Sequence, residues 1–395
     1  MKKIIWGAII GHLFIFSGCH SLKQDSDFTS HAVTLLDSTL NYYKTPDRAL
    51  FYETYPKRDG DLVTYLAGAD TIRKDRVAYL WPTSGMFSAV NALWKTTGDK
   101  KYEKMIHSVI LPGLELYYDS LRTPNCYQSY LTESGKSDRF YDDNLWLGLD
   151  FLELYELTDD KAYLDSARNV WNFIESGCDS ILGGGIYWCE QKKTSKNTCS
   201  NAPAAVLALR LYSQTKEKHY LDMGQQIYHW TKENLQDDAD GLYFDNIGLD
   251  GTVNKTKFQY NSGQMLQAAV LLYNLTHDTA YLEEAQRLAK ACSGYFFENF
   301  VSENGQEFKV VKNGNIWFVA IMLRGFEELY KVDRNPVYLN DFKNTLQYMW
   351  SHNTNPNRLF EDDCFVEKIN GRKESKWLLS QAAMIEMYAR LARIE

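Results

Sequence analysis

The chain has 395 residues and a formal net charge of −8 at pH 7, from 43 basic and 51 acidic residues. It has no basic run and no patch of interleaved arginine and aromatic residues, so nucleic acid is not an expected partner. Its length allows a large hydrophobic core.

The N-terminus is typical of an exported protein. Lys2 and Lys3 precede an apolar stretch, residues 4–16, which is too short to span a membrane and reads as a signal sequence. The following Ser-Gly-Cys resembles a bacterial lipobox. We therefore predict a lipoprotein signal over residues 1–19, with Cys19 as the lipidation site, and an outer-membrane protein facing either the surface or the periplasm. Ordinary cleavage is the alternative. Residues 20–30 are predicted to be a polar tether.

A turn recurs five times in the remaining chain, with spacings of 57 or 61 residues. Five residues before each aligned tyrosine lies a threonine or an aspartate, residue types that cap helices or form turns. A period this long indicates stacked supersecondary units. The aligned tyrosines are Tyr102, Tyr163, Tyr220, Tyr281 and Tyr338.

Each unit is predicted to contain an inner helix, buried on most faces, and an outer helix with a solvated polar stripe. The inner helices are expected at residues 81–95, 144–157, 201–213, 261–275, 315–330 and 378–393. The outer helices are expected at residues 31–43, 101–119, 161–175, 219–233, 280–298 and 337–350.

Six pairs of helices whose first and last elements complete each other predict an all-α fold, an (α/α)6 toroid over residues 31–395, which is expected to be a monomer. An open solenoid is the rival, but it would need polar caps at both ends, and the last helix is not polar enough. The loops entering the inner helices are long and rich in aromatic residues, whereas the opposite turns are short. We expect function at the rim of long loops.

Carboxylates are the expected catalytic groups. None of the eight histidines lies in these loops, and serine-nucleophile, phosphate-loop and dinucleotide motifs are lacking. Asp142 and Asp143 stand side by side at the start of an inner helix. Retaining glycosidases hold two carboxyls about 5 to 5.5 Å apart, which suits neighbouring side chains. The helix start favours an anion, and mutual repulsion favours one proton on the pair. The alternative is an N-cap followed by a first-turn carboxylate.

Aromatic and amide side chains on the same rim suit a carbohydrate. Flat rings with polar edges can pack on the C–H faces of sugars, and Asp and Asn can bind hydroxyls. Each aromatic residue could instead belong to the core, and each polar one could be a turn or cap residue. The candidate substrate-binding residues are Trp81, Tyr141, Asn144, Trp188, Asn201, Asp245, Tyr260, Asn261 and Trp317.

Four motifs together resemble glycoside hydrolase family 76, the endo-α-1,6-mannanases, between about residues 81 and 381. They are the Tyr-Asp-Asp-Asn-Leu-Trp segment at residues 141–146, the Gly-Gly-Gly-Ile-Tyr-Trp loop at 183–188, and residues 196–204 and 258–264. The resemblance implies an (α/α)6 fold and retaining hydrolysis of α-1,6-linked mannan without a cofactor or metal. It also implies that Asp142 is the nucleophile and Asp143 the acid/base.

Two other functions stay open at this point. A transglycosylase would pass the mannosyl group to another sugar instead of water, and a helical lipoprotein could bind glycans without cutting them. The aspartate pair argues against the second function, because a site that only binds has no use for two repelling carboxylates.

The cysteines and one acidic cluster complete the predictions. No Cys-x-x-Cys pair is present, so a structural zinc site is not expected. Cys189 and Cys199 are the pair that most favours a disulfide, and buried free thiols are the alternative. The aspartates in residues 237–240 lack EF-hand spacing and are predicted to form a solvated turn.

Overall fold

The computed structural model describes residues 21–57, 77–312, 314–354, 356–360 and 375–394, with side chains from residue 28 onward. This part of the chain contains twelve long helices, the odd-numbered ones outer and the even-numbered ones inner. They are α1 (Ser21–Tyr43), α2 (Leu80–Thr97), α3 (Lys100–Met105 with its continuations Ile106–Ile110 and Leu111–Glu115), α4 (Tyr141–Thr158), α5 (Lys161–Ser176), α6 (Thr198–Thr215), α7 (Lys218–Leu235), α8 (Gln259–Thr276), α9 (Thr279–Phe296), α10 (Ile316–Asp333), α11 (Val337–His352) and α12 (Leu378–Ala392).

The inner helices form a closed ring. Each contacts the next along the chain, and α12 contacts both α2 and the N-terminal helix α1. The helices also approach closely: a Cβ on Gly325 would lie 2.3 Å from the carbonyl oxygen of Gly263, so α8 and α10 can meet only without a side chain there. The predicted (α/α)6 toroid is confirmed, and the open solenoid is excluded.

The recurring threonines end the inner helices. The Thr158 hydroxyl donates to the carbonyl of Leu154 at 2.7 Å and accepts from the amide of Asp160 at 3.2 Å. Asp159 between them has a left-handed backbone, with φ at 57°. The Asp160 carboxylate then caps α5 by accepting from the Ala162 amide at 3.0 Å. The cap of the outer helix therefore lies two residues after the threonine.

The first helix begins earlier than predicted. Phe28 lies in the hydrophobic core and packs against Tyr388, with ring centroids 5.7 Å apart. Residues 28–30, predicted as tether, therefore belong to the domain. Cys19 and the predicted signal sequence lie outside the described residues. Over the described part of the chain, every helix is too short or too polar to cross a membrane.

Short antiparallel strands occupy the rim of long loops. The strands are β1 (Thr54–Tyr55), β2 (Tyr118–Asp119), β3 (Cys126–Tyr127), β4 (Tyr187–Cys189), β5 (Lys192–Asn197), β6 (Phe244–Gly248), β7 (Val253–Lys257), β8 (Phe297–Val301), β9 (Glu307–Val311) and β10 (Lys376–Trp377). Two of the outer helices therefore end earlier than the predicted residues 119 and 298: α3 ends at Glu115 before β2, and α9 ends at Phe296 before β8. β4 to β7 form one sheet in chain order, and β1–β10, β2–β3 and β8–β9 form pairs. The four-stranded sheet contacts the starts of α4 and α6 and so forms one side of the rim.

Candidate active site

One residue from each inner helix contributes to a ring at the rim where these helices begin. It is the second residue of the helix in every case. Cys199 interacts with Asp142 on one side and Tyr260 on the other, Tyr260 contacts Trp317, and Trp317 contacts Trp81. Of the six, Asp142 carries a carboxyl group, Cys199 carries a thiol, and three are aromatic. The set is Trp81, Asp142, Cys199, Tyr260, Trp317 and Leu379.

Asp142 is held by strand β4, which pairs with Phe140 just before α4. One carboxylate oxygen accepts from the indole N–H of Trp188 at 3.2 Å, and Trp188 itself packs on Phe140 with ring centroids 5.0 Å apart. Burial raises the pKa of Asp142 to about 6. The rise is limited by the Cys199 thiol, by Trp188 and by backbone amides of the helix start, all of which favour the ionised form.

Asp143 is buried next to Asp142. Burial raises the pKa of Asp143 well above its ordinary value, and the negative charge of Asp142 raises it further. Near neutral pH the pair therefore holds one anion, on Asp142, and one proton, on Asp143. This division suits a nucleophile next to a general acid.

An aromatic wall faces the pair across the mouth of the bore. Tyr260 stacks flat on Phe318, with centroids 4.0 Å apart and planes 3° from parallel. Trp81 meets Trp317 edge to face at 5.4 Å and Trp377 at 5.3 Å. Trp81 and Phe318 remain partly exposed. Such ring faces suit the C–H faces of sugars.

Several polar atoms near this wall are buried without a hydrogen-bond partner in the described residues. Asn261 is 1 % exposed, and neither its amide oxygen nor its nitrogen is paired. The Oγ of Ser200, the Nε1 of Trp317 and the Oε1 of Gln264 are also unpaired. Asn261 and Ser200 are third residues of their helices, as Asp143 is of α4. Buried groups of this kind cost free energy unless a partner is supplied, and sugar hydroxyls can supply one.

Asp245 reaches the site from strand β6. Its carboxylate accepts from the amides of Asn246 at 2.7 Å and Asn254 at 3.1 Å. Burial raises its pKa, and its charge acts on Cys199 and Tyr260. It therefore lies on the Cys199 side of the ring, as a second acceptor for hydroxyls.

Asn144, Asn201 and Tyr141, all predicted to bind substrate, stabilise the fold instead. Asn144 donates to and accepts from the backbone of Tyr127, with both bonds 2.9 Å long. Asn201 does the same to Ile186, at 2.7 and 2.9 Å, and Gln381 to Phe360. Each amide thus fixes an incoming loop to its inner helix, and both of its polar atoms are used. Tyr141 points outward and stacks on Phe173 at 4.6 Å, so it belongs to the core.

The proposed disulfide is wrong. Cys189 and Cys199 are free thiols, as are Cys126, Cys178 and Cys292, and Cys364 lies outside the described residues. The acidic turn has partners of its own: Lys257 lies 2.5 Å from Asp237 and 2.8 Å from Asp240. Among the described residues, His, Cys, Asp and Glu side chains form no group suited to a metal ion.

Replacing Trp188 by phenylalanine should shift the pH profile. The variant keeps a ring against Phe140 but loses the N–H that stabilises ionised Asp142, a bond to a charged group worth about 1.5 kcal/mol or more. We expect the acidic limb of kcat/KM to move up by about one pH unit. The same substitution at Trp350, on the outer helix α11, is the matched control. An unchanged acidic limb would contradict the claim that the Trp188 N–H stabilises ionised Asp142.

The buried pair should also destabilise the protein at high pH. Because the pKa of Asp143 is raised on folding, its contribution to stability is present below about pH 4 and is lost as the pH rises through the folded-state pKa. Asparagine has no such dependence. We expect Asp143→Asn to be about 1 to 3 kcal/mol more stable than the wild type at pH 8, and nearly equal to it at pH 4, by urea unfolding. An equal difference at both pH values would contradict this origin.

The comparison with known proteins agrees with the geometry. The family model described as glycosyl hydrolase family 76 matches residues 28–393. A family 76 mannosidase structure from Bacteroides thetaiotaomicron is 32 % identical, with a TM-score of 0.84, and the match covers 93 % of this chain and 98 % of that one. An α-1,6-mannanase from Salegentibacter sp. is 26 % identical, with a TM-score of 0.72, over 93 % and 100 % of the two chains.

The Salegentibacter enzyme has also been solved as an inactive variant with two adjacent aspartates replaced by asparagine, in complex with α-1,6-mannotriose. A mannan endo-1,6-α-mannosidase of Candida glabrata is 26 % identical over 55 % of this chain and 53 % of its own length. The chain spans just over half the length of this relative and of two other curated fungal relatives that it matches.

Proposed function

The chain belongs to glycosyl hydrolase family 76 and is a glycoside hydrolase, and we propose that it cleaves α-1,6-mannosidic linkages inside mannan chains with retention of configuration. The observation that carries the proposal is the aspartate pair at the start of α4. Burial raises both pKa values, and the higher pKa of Asp143 favours a proton on that residue. The aromatic wall and the unpaired amide of Asn261 provide the surroundings that a sugar ring needs.

In the first step, an oxygen of Asp142 attacks the anomeric carbon while Asp143 gives its proton to the departing glycosidic oxygen. A mannosyl ester on Asp142 and a shortened chain result. In the second step, Asp143, now ionised, removes a proton from water, which attacks the anomeric carbon and releases Asp142. Asp142 is then ionised and Asp143 protonated, as they were before the first step. Trp188 holds Asp142 in place and keeps it ionised before the attack, because its N–H binds the attacking carboxylate.

The substrate class is supported by the names of the relatives. The Salegentibacter protein is called an α-1,6-mannanase, and its inactive variants are bound to α-1,6-mannotriose and α-1,6-mannotetrose. Those variants lack two adjacent aspartates, and Asp142 and Asp143 are such a pair here. We propose that the aromatic wall and the polar groups near it contact the mannan chain. These residues are Trp81, Tyr260, Trp317, Asp245 and Asn261.

The test is incubation of the purified protein with debranched α-1,6-mannan, with reducing ends followed over time and products sized by chromatography. Oligosaccharides of several lengths, present from the first time points, are expected of an endo-acting hydrolase. Mannose alone would contradict the endo mode. Longer products in the presence of excess acceptor sugar would indicate a transglycosylase, and an absence of cleavage would contradict the proposal.

We further propose that the protein acts as a monomer and is anchored by a lipid on Cys19. The support for the anchor is the signal-like sequence that precedes the cysteine. Expression of the full chain in a bacterial host, followed by detergent phase separation, tests it. The wild type should enter the detergent phase and Cys19→Ser should not. Equal partition of both proteins would contradict lipidation, and a dimer mass in light scattering would contradict the monomer.

A further inference from the structure

A second groove lies on the outside of the toroid, between the β8–β9 hairpin and the last turns of α11. Its volume is about 460 Å3, within the range of about 300 to 1,000 Å3 found for ligand sites. The hairpin is held against α11 by aromatic contacts: Phe300 lies 4.9 Å from Tyr348, and Phe308 lies 6.2 Å from it. These contacts fix the position of the hairpin on α11 and so fix the shape of the groove.

The lining of this groove favours a neutral, polyhydroxylated ligand. Tyr348 and His352 stack face to face, with centroids 3.9 Å apart and planes 6° from parallel. The His352 side chain is exposed, so the outer face of this stacked pair is the aromatic surface that a ligand can contact. Amide side chains, among them Asn344 and Gln347, surround it. Among the described residues that line the groove, none is lysine or arginine, and Glu303 is the one carboxylate. This composition provides no charge for an anionic ligand but offers ring faces and hydrogen bonds for sugars.

The groove and the active site open on the same side of the molecule. In each pair the outer helix ends where the next inner helix begins, so the last turns of α11 lie at the rim that carries Asp142. The β8–β9 hairpin belongs to that rim as well, since it connects α9 to α10. A chain of many sugar units could contact both places, whereas a short oligosaccharide could occupy only one.

We propose that this groove is a second, non-catalytic binding site for a neutral glycan chain, of the same mannan class as the substrate. This inference rests on the proposed function. The groove raises the effective concentration of polymer at the active site, because a chain held at one place reaches the other more often. It has no effect on substrates too short to span both.

The experiment uses the Asp142→Asn/Asp143→Asn protein, which should bind without cutting, in native gels with and without debranched α-1,6-mannan. Gln347→Arg fills the groove with a longer, charged side chain from an exposed position, and Gln286→Arg on α9 adds the same charge elsewhere. We expect retardation of the parent and of the Gln286 variant, and an apparent dissociation constant about threefold or more higher for the Gln347 variant. Tyr348→Ala, checked for folding by thermal unfolding, should behave as Gln347→Arg does.

A parent that is not retarded, or a Gln347 variant retarded as strongly as the parent, overturns the second site. In the active protein, Gln347→Arg should keep kcat/KM on α-1,6-mannotetraose and lose about threefold on the polymer. An equal loss on both substrates also overturns it. Release of reducing ends by the unmodified protein is the separate readout of the proposed function, so a failure of that function is recognised independently.

Discussion

Asp142→Asn should lower kcat on α-1,6-mannan by about a thousandfold or more, because the amide cannot form the mannosyl ester. Asp143→Asn should lower it by about a hundredfold to ten-thousandfold, as expected when a general acid is lost. The two variants should differ with an activated aryl mannoside, whose leaving group needs little protonation. Asp143→Asn should then form the mannosyl-enzyme rapidly and hydrolyse it slowly, whereas Asp142→Asn should stay inactive.

Asp165→Asn on α5 is the matched control, since the Asp165 side chain is largely exposed and lies outside the rim. It should keep wild-type activity. Steady-state kinetics on both substrates, with circular dichroism to verify folding, completes the comparison. Near wild-type activity of either rim variant on mannan would refute its assigned role.

Arg390→Met should cost about 3 to 5 kcal/mol of stability at pH 7, the effect expected when one partner of a buried ion-pair network is removed. Arg390 on α12 binds three buried carboxylates: Glu386 at 2.6 Å, Glu327 on α10 at 3.1 Å and Glu153 on α4 at 3.3 Å. Methionine fills most of the space but leaves these carboxylates short of one positive charge. Urea unfolding at pH 7 measures the loss.

Arg168→Met on α5 is the control, because Arg168 forms a partly exposed pair with Glu217, and this pair should contribute less than about 1 kcal/mol. The positive charges around the network lower the pKa values of Glu153, Glu327 and Glu386. Their contribution to stability is therefore present above about pH 4.5 and lost as the pH falls through the lowered values. The cost of Arg390→Met should shrink in acid, and equal costs for both arginines at pH 7 would contradict the network.

This network also shows how the ring is closed. Arg390 joins α12 to α4 and α10, and Arg324 on α10 pairs with Glu386 on α12 at 2.7 Å. The network lies near the ends of the inner helices, away from the rim of Asp142. The end of the bore opposite the active site is thus lined by mutually paired charges, which surround a cavity of about 260 Å3.

The toroid could be predicted from sequence because its signals are local. Helical periodicity and the turn at the recurring threonine or aspartate act over a few residues, and their repetition at 57 or 61 residues gives the pairing of helices. The same spacing also relates five of the six ring residues of the site. Trp81, Asp142, Cys199, Tyr260 and Trp317 are separated by 61, 57, 61 and 57 residues, which would have placed Cys199 in the ring.

The tasks of single side chains were harder to predict, because they depend on parts of the chain distant in sequence. Asn201 uses both amide atoms on Ile186, and nothing near Asn201 in the sequence indicates which loop passes it. Tyr141 is next to Asp142, but one step along a helix turns a side chain by about 100° and directs it to α5. Phe318 and Trp377 complete the aromatic wall through neighbours on other helices and strands.

Proton NMR of debranched α-1,6-mannan during the first minutes of cleavage tests the central claim most directly. Attack by Asp142 followed by water inverts the anomeric carbon twice, so the new reducing ends should appear first as the α anomer and only later equilibrate with the β anomer. New ends that appear first as the β anomer would contradict the double displacement, and the absence of new ends would contradict the substrate.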